Sequence, residues 1–174
     1  PTNNPSSSIS CPQCRQPILA HLDQVLDQAQ DPEAKRKLLN GQFNLVNCSG
    51  CGFAGMIGTP IVYHDPDKEL LLTYVPVELN MPLEEKERVL GSLTRAIISK
   101  IPDEKRTGYL LQPKELLSLH GLINCVLEAD GITPEMIESQ RTKLELIEKL
   151  SDADQESVPD LIKQHDSELD YAFF

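Results

Sequence analysis

Apolar residues recur at nearly every second position in short stretches of the first half of the chain, a pattern typical of half-buried β-strands. Ile18 and Ala20 belong to one such stretch, and Phe43 and Leu45 belong to another. Polar and turn-forming residues separate the stretches, so each strand is expected to be short. The pattern therefore predicts a β-rich region over residues 10–79.

A β-hairpin is predicted further along this region, where two β-prone runs enclose a polar turn. The runs occupy residues 60–63 and 70–75, and the turn at 64–68 places Asp and Pro where turns favour them. Within this turn, His64 and Asp65 are expected to cap their own backbone rather than to bind a metal ion or act as a base.

A short helix is predicted inside the β region because signals for both of its ends are present. Asp31 is suited to the N-cap, Pro32 to the first helical position and Gly41 to the left-handed position after the last turn. This helix and one strand account for the length of the 33-residue interval between Cys14 and Cys48, which exceeds the roughly 15–20 residues of compact zinc ribbons.

From Asn80 onward the apolar residues recur at spacings of three, four and seven, which is typical of amphipathic helices. The first helix is expected to bury the apolar residues Leu83, Leu90, Leu93, Ile97 and Ile101. A second helix is predicted from Pro113 to Asp130, and a fourth over residues 158–171. The third is capped by Thr133, and its predicted apolar face consists of Ile137, Leu144, Ile147 and Leu150.

Charge is distributed unevenly along the chain. The 174 residues carry a formal charge of −11, from 16 basic and 27 acidic residues. Residues 1–79 contribute −3 and residues 80–174 contribute −8, so the helical half is the more acidic. Because such a surface repels phosphate backbones and anionic lipids, nucleic acid is not an expected partner.

Composition also limits the classes of protein to which the chain can belong. Hydrophobic residues make up 40% of the chain and charged residues 25%, which is typical of a globular protein. No run approaches the roughly 18 apolar residues of a membrane helix, and residues 1–10 lack the apolar segment of a secretory signal. We therefore expect a cytoplasmic protein without a membrane span, where cysteines serve as ligands more often than as disulfides.

Two Cys-x-x-Cys pairs carry the strongest chemical signal in the sequence. They are Cys11-Pro-Gln-Cys14 and Cys48-Ser-Gly-Cys51. Each pair can form a tight turn that directs both sulfur atoms toward one ion, and two such turns supply the four thiolates of a closed tetrahedral zinc site. Cys11, Cys14, Cys48 and Cys51 are therefore predicted to hold one structural Zn²⁺. An iron centre with the same sulfur ligands and a redox dithiol are the alternatives.

The residues beside the two pairs differ in how well they suit such a turn. Pro12 fixes its φ at a value suited to the first turn, and Gly52 is free to adopt a positive φ just after the second. Arg15 occupies the corresponding position after the first pair, where glycine would be easier. The first turn is therefore expected to be the more strained of the two.

No other group of residues points to catalysis. Cys125 lies on the expected apolar side of a helix and is predicted to be a buried small hydrophobic residue. The histidines lack the spacing of metal ligands, and the sequence has no nucleophile elbow, phosphate loop or dinucleotide fingerprint. Since four protein ligands leave no open position for hydrolysis at the metal, the chain is predicted not to be an enzyme.

A series of short segments in a fixed order points to a known family. They are Ser10-Cys-Pro-Gln-Cys14, Asp31-Pro-Glu, Leu38-Leu-Asn-Gly41, Phe43-Asn44, Cys48-Ser-Gly-Cys51-Gly52 and Tyr63-His-Asp-Pro-Asp67. In this order, over about residues 10–130, they resemble the bacterial CpXC domain, which is named for two Cys-Pro-x-Cys motifs. The resemblance implies a cytoplasmic metal-binding domain but no particular activity. The second pair lacks the motif's proline, a departure that reduces the rigidity of the turn but removes no ligand.

Together these features predict an α+β fold. A flexible tail at residues 1–9 is followed by a zinc-ribbon-like antiparallel β layer at 10–79, which contains the short inserted helix. An acidic region of three to four helices follows at 80–174. The predicted function is that of a non-catalytic adaptor or accessory subunit, in which the helices contact protein partners and the zinc is purely structural.

Two other classes of function stay open at this point. A nucleic-acid-binding or transcription-associated zinc ribbon would need a basic strand face, yet Lys68 is the only basic residue in 42–79. A thiol-based redox or zinc sensor would need an exposed cysteine pair of low pKa and a loosely held metal.

Overall fold

The computed structural model describes residues 6–152, with side chains up to Ile147 and at Lys149. In this part of the chain, short strands are combined with four α-helices, and the three longer helices all follow Pro82. The α+β fold class predicted from the sequence is therefore confirmed. The chain divides into two compact units, with the boundary between Ile123 and Asn124. The domain boundaries given above stay a prediction.

All eight strands of the described residues lie in the first unit. They are β1 (Ser7–Ser10), β2 (Pro17–Ala20), β3 (Val25–Asp27), β4 (Leu45–Asn47), β5 (Ala54–Met56), β6 (Ile61–Asp65), β7 (Leu70–Tyr74) and β8 (Lys114–Leu116). The helices are α1 (Ala34–Leu39), α2 (Leu83–Ile98), α3 (Leu119–Ala129) and α4 (Pro134–Asp152). Short 3-10 turns occur at Pro66–Lys68, Val77–Leu79, Asp103–Lys105 and Gly108–Leu111.

The strands form three separate sheets. β1 and β2 pair as an antiparallel hairpin around the first cysteine pair, and β4 and β5 do the same around the second. The largest sheet has the order β3-β6-β7-β8, and its central strands β6 and β7 form the predicted antiparallel hairpin. The outer strands β3 and β8 pair in parallel with their neighbours, a feature that the expected antiparallel layer does not include.

Helix α2 packs its apolar face against the four-stranded sheet. Val62 and Leu71 of the central hairpin are buried in one cluster with Ile97 of α2 and with Leu110. Further apolar residues pack against this cluster, among them Leu90, Leu93, Ile98 and Ile101. The predicted face of this helix is thus confirmed except at Leu83, which is the first residue of α2, lies outside the cluster and is 66% exposed.

Two segments form strands that the sequence did not predict. Residues 7–9, assigned above to a flexible tail, belong to β1, where Ser7 lies opposite Ala20 of β2. Such a polar segment can form a strand because a neighbouring strand satisfies its backbone hydrogen-bonding groups. Residues 114–116, predicted to begin a helix, instead extend the large sheet at the edge of β7, and α3 starts only at Leu119.

The C-terminal end of α1 agrees with the prediction from the sequence, and the N-terminal end does not. Gly41 adopts a φ of +62° just after the helix, as predicted. At the other end the helix begins at Ala34, so Pro32 lies before it rather than in its first turn. The carboxylate of Asp31 accepts the backbone N–H of Glu33 at 3.0 Å, and this local turn displaces the start of the helix.

In the second unit, α4 begins at its predicted cap but buries a different face. The hydroxyl of Thr133 accepts the backbone N–H three residues later at 3.3 Å. Leu146 is 5% exposed, whereas Leu144 is 66% exposed and Ile147 53% exposed. The buried face is centred on Leu146, because neighbouring residues point to other sides of a helix that turns about 100° per residue. The side chain of Leu150 and the predicted fourth helix lie outside the described residues.

His64 lies at the centre of a buried polar cluster. It belongs to β6 and is fully buried, with Nδ1 at 2.8 Å from the carboxylate of Asp27 and Nε2 at 2.9 Å from the hydroxyl of Tyr109. The prediction that His64 caps its own backbone is therefore wrong, because the strand continues through it. Asp65 does cap the following turn, since its carboxylate accepts the backbone N–H of Asp67 at 3.1 Å.

Tyr109, which contacts His64, lies near several negative charges. Burial raises the pKa of Tyr109, and the negative charges of Glu69, Asp27 and Asp65 raise it further. The phenol therefore stays protonated, and its hydroxyl can donate to a ring nitrogen of His64 or accept from it. His64 thus joins β3, β6 and the Gly108–Leu111 turn.

We expect His64→Ala to lower the free energy of unfolding by about 3 kcal/mol, because it removes the partner of a buried carboxylate and opens a cavity. His120→Ala is a suitable control, since His120 is exposed, and should change the value by less than about 0.5 kcal/mol. Urea unfolding followed by circular dichroism measures both. Equal stability of the two variants would contradict the structural role of His64.

Candidate metal centre

Each cysteine pair lies in a turn closed by the same two backbone hydrogen bonds. In the first turn, the N–H of Cys11 donates to the carbonyl of Gln16 at 2.8 Å, and the N–H of Arg15 donates to the carbonyl of Cys11 at 2.9 Å. In the second, Cys48 takes the place of Cys11 and Gly52 that of Arg15, with distances of 2.8 and 2.9 Å. The two turns therefore share one local geometry.

The residue after each pair adopts a positive φ, which is +62° for Arg15 and +77° for Gly52. A residue with a side chain loses about 1–2 kcal/mol in this conformation, so the first turn carries strain that the second avoids. The strain predicted at Arg15 is thus confirmed. A Cβ at Gly52 would meet no atom within 4 Å, so backbone conformation rather than space favours glycine there.

The structure brings the four predicted ligands together. The sulfur atoms of Cys11 and Cys51 are 3.6 Å apart, as are those of Cys14 and Cys48, and all four lie within 4.8 Å of one another. Thiolates at about 2.3 Å from a tetrahedral zinc ion would be about 3.8 Å apart, whereas a disulfide would bring two of them to about 2.05 Å. The four free cysteines could therefore hold one metal ion.

One cysteine of each pair is buried and the other is partly exposed. Cys11 is 1% exposed and Cys48 is 4% exposed, while Cys14 and Cys51 are half-buried. Each turn thus places its first sulfur in the interior and its second nearer to solvent.

The thiols of Cys11 and Cys51 have different pKa values. Burial on its own would raise the pKa of Cys11, but the backbone N–H groups of Cys14 and Gln13 stabilise its thiolate and lower the pKa to about 6. The backbone N–H of Phe53 favours the thiolate of Cys51, yet burial and the neighbouring sulfurs outweigh it and raise the pKa to about 12. Binding of a cation to all four sulfurs must therefore displace at least the proton of Cys51 at neutral pH.

A contact between the two turns was not predicted from the sequence. A Cβ built on Gly50 would lie 1.9 Å from the side-chain oxygen of Gln16. The missing side chain at Gly50 thus leaves room for Gln16 of the other turn. The sequence around Gly50 or Gln16 does not predict this contact, because it arises only when two distant segments of the chain come together in the fold.

Within residues 6–152, the four cysteines are the only cluster of His, Cys, Asp and Glu side chains arranged to hold a metal ion. Cys125 on α3 is not part of this cluster, and it is half-buried rather than fully buried. None of the helices in this part of the chain combines the length and apolar composition that a membrane crossing requires.

The paired turns and their closed set of four thiols suggest a metal-binding domain. The family model described as CpXC protein matches residues 9–141, and the chain belongs to this family. The resemblance in the sequence is therefore confirmed. No curated protein and no solved structure matches the chain.

We expect Gly52→Ala to lower the free energy of unfolding by about 1–2 kcal/mol, because alanine must adopt the positive φ of the second turn. Gly108→Ala is the matched control, since its Cβ also meets no atom within 4 Å and its φ is not positive. Thermal unfolding in the presence of excess zinc measures both variants. A loss as large in Gly108→Ala would show that strain in the cysteine turn is not the cause.

We also expect Cys48→Ser to abolish stoichiometric metal binding, whereas Cys125→Ser should retain the wild-type metal content. The reason is that Cys48 contributes a buried sulfur to the four-thiol cluster and Cys125 does not. Elemental analysis of the purified variants gives the number of metal ions per chain. Loss of metal from Cys125→Ser would show that the ligand set is wrong.

Proposed function

We propose that this chain is a non-catalytic zinc-binding protein that acts as an adaptor or accessory subunit, with one purely structural Zn²⁺ held by Cys11, Cys14, Cys48 and Cys51. The observation that carries the proposal is the four-sulfur cluster, whose members lie within 4.8 Å of one another. All-thiolate tetrahedral sites are typical of structural zinc. Such a site has no vacant position for a substrate or a reactive water.

Exposed apolar side chains of the first unit support a role in protein binding. Leu45, Met56, Val77 and Leu79 are 41–73% exposed, and large hydrophobic side chains concentrated on a surface are typical of interaction sites. We therefore place the partner surface on the β region as well as on the helices. A cytoplasmic setting is part of the proposal, because reducing conditions keep four thiols available as ligands.

The ion pairs of α1 weaken the nucleic-acid alternative. This helix contains the densest group of basic residues in the first unit, Lys35, Arg36 and Lys37. Lys35 lies 3.1 Å from the carboxylate of Asp65 and Lys37 lies 2.6 Å from that of Asp31, while Arg36 pairs with Glu33. Carboxylates thus already partner all three cations, which lowers their attraction for phosphate.

The partial exposure of Cys14 and Cys51 favours a thiol-based zinc sensor as the second candidate function. A sensor must let an oxidant reach at least one ligand and must release its metal when that ligand is oxidised. A structural site instead keeps its metal under mild oxidation. Metal release under peroxide therefore discriminates between the two.

We expect one zinc per chain, and we expect chelation to destabilise β1, β2, β4 and β5 while α2 retains its protection from hydrogen exchange. The reason is that structural zinc contributes on the order of 10 kcal/mol to the folding of small domains, whereas α2 packs in a core of its own. Elemental analysis and hydrogen exchange with and without chelator measure both. Unchanged stability after complete metal removal would contradict the proposal, and rapid zinc release by equimolar peroxide would favour the sensor.

A further inference from the structure

A groove of about 590 Å³ lies beside the cysteine turns in the first unit. Its walls are mostly apolar and include the large side chains of Phe43, Met56, Ile57, Ile61, Tyr74 and Leu79. We refer to this surface as the apolar groove. Its volume lies within the range of about 300–1,000 Å³ that is common for binding pockets.

The hairpins around both cysteine pairs contribute to the apolar groove. Ser10 and Pro12, on either side of Cys11, line it from the first turn. Met56 is the last residue of β5, the strand that follows the second turn, and also lines it. A metal ion that fixes the two turns would therefore also fix two walls of the groove.

The apolar surface continues beyond the groove itself. Met56 and Leu79 are 41% and 42% exposed, so the groove is open to solvent. Leu45 lies opposite Met56 in the β4–β5 register, and side chains in such a pair point to the same face of the sheet. Leu45 is 60% exposed. An apolar surface of this extent is typical of a binding site for another protein.

Charge indicates which kind of protein segment fits. Glu78 is the only charged residue that lines the groove, and it is exposed. A second copy of the chain would bring a second Glu78 to the interface, and two carboxylates facing each other repel. Burial and the nearby charge of Glu78 raise the pKa of Tyr74, so its hydroxyl stays protonated and can donate to a backbone carbonyl of the occupant. An occupant with positive charge next to apolar side chains complements both Glu78 and the apolar walls.

We propose that the apolar groove binds a short segment of a partner protein in which apolar side chains are flanked by lysine or arginine. This inference rests on the proposed function, because it assigns the adaptor a binding site and a class of ligand. The apolar side chains enter the groove beside Met56 and Leu79. The basic residue pairs with Glu78 at its edge.

Selection of a random peptide library displayed on phage against the zinc-loaded protein tests the ligand class. Sequences that combine aliphatic or aromatic residues with adjacent Lys or Arg should be enriched. The selected peptide is then synthesised with a fluorescent label and titrated by fluorescence anisotropy. Enrichment of acidic sequences, or no enrichment over uncoated support, would overturn the proposal.

Three variants locate the binding site of the selected peptide. Leu79→Ser should weaken binding at least tenfold, because it removes an exposed apolar wall. Glu78→Gln should weaken binding about threefold to fivefold and reduce its dependence on salt. Leu19→Ser is the matched control: Leu19 is 76% exposed, does not line the groove and should leave affinity unchanged. Equal affinity of wild type and Leu79→Ser would place the peptide elsewhere and overturn the proposal.

Two further measurements separate this inference from the proposed function. Sedimentation analysis that shows a dimer abolished by Leu79→Ser would identify a second copy as the occupant and would overturn the inference alone. Peptide binding and melting temperature that both persist after complete zinc removal would contradict the structural zinc while leaving the groove assignment in place. Loss of peptide binding on zinc removal, with recovery on re-addition, supports both.

Discussion

Four sulfur atoms within 4.8 Å of one another repel when they are ionised, so a cation beside them is required for all four to lose their protons at neutral pH. The thiol of Cys11 loses its proton easily, with a pKa of about 6, whereas the sulfurs around Cys51 raise its pKa to about 12. A divalent ion would remove this conflict by neutralising several thiolates at once. An ion held by all four sulfurs would also join two hairpins that share no strand pairing with each other.

The two parts of the first unit are stabilised in different ways. Hairpins β1–β2 and β4–β5 each contain two strands, and an isolated two-stranded hairpin is at best marginally stable in water. The four-stranded sheet instead packs against α2 around Val62, Leu71 and Ile97, and it contains the hydrogen-bonded His64. The apolar groove receives residues from both parts, from Met56 of β5 and from Ile61 and Tyr74 of the large sheet. Its shape would thus depend on a metal bound by the cysteines and on the core together.

Local signals in the sequence predicted local features. The spacing within each cysteine pair, the strain at Arg15, the left-handed Gly41 and the cap at Thr133 depend on a few consecutive residues. The partners of His64 could not be predicted, because Asp27 and Tyr109 lie 37 and 45 residues away and neither has a pattern of its own. The parallel strands β3 and β8 have three residues each, too few for periodicity to assign, and their positions follow from free edges of the central hairpin.

The cross-pairing of the two cysteine turns also sets an order of events during protein synthesis. Each close sulfur pair joins residues 40 or 34 positions apart, Cys11 with Cys51 and Cys14 with Cys48. At about 5–20 residues per second, the ribosome needs roughly two to eight seconds to add that length of chain. Until then the first turn is an open dithiol that can offer a metal ion two ligands only. Completion of the four-sulfur site therefore requires synthesis of the chain through Cys51, however fast the first turn folds.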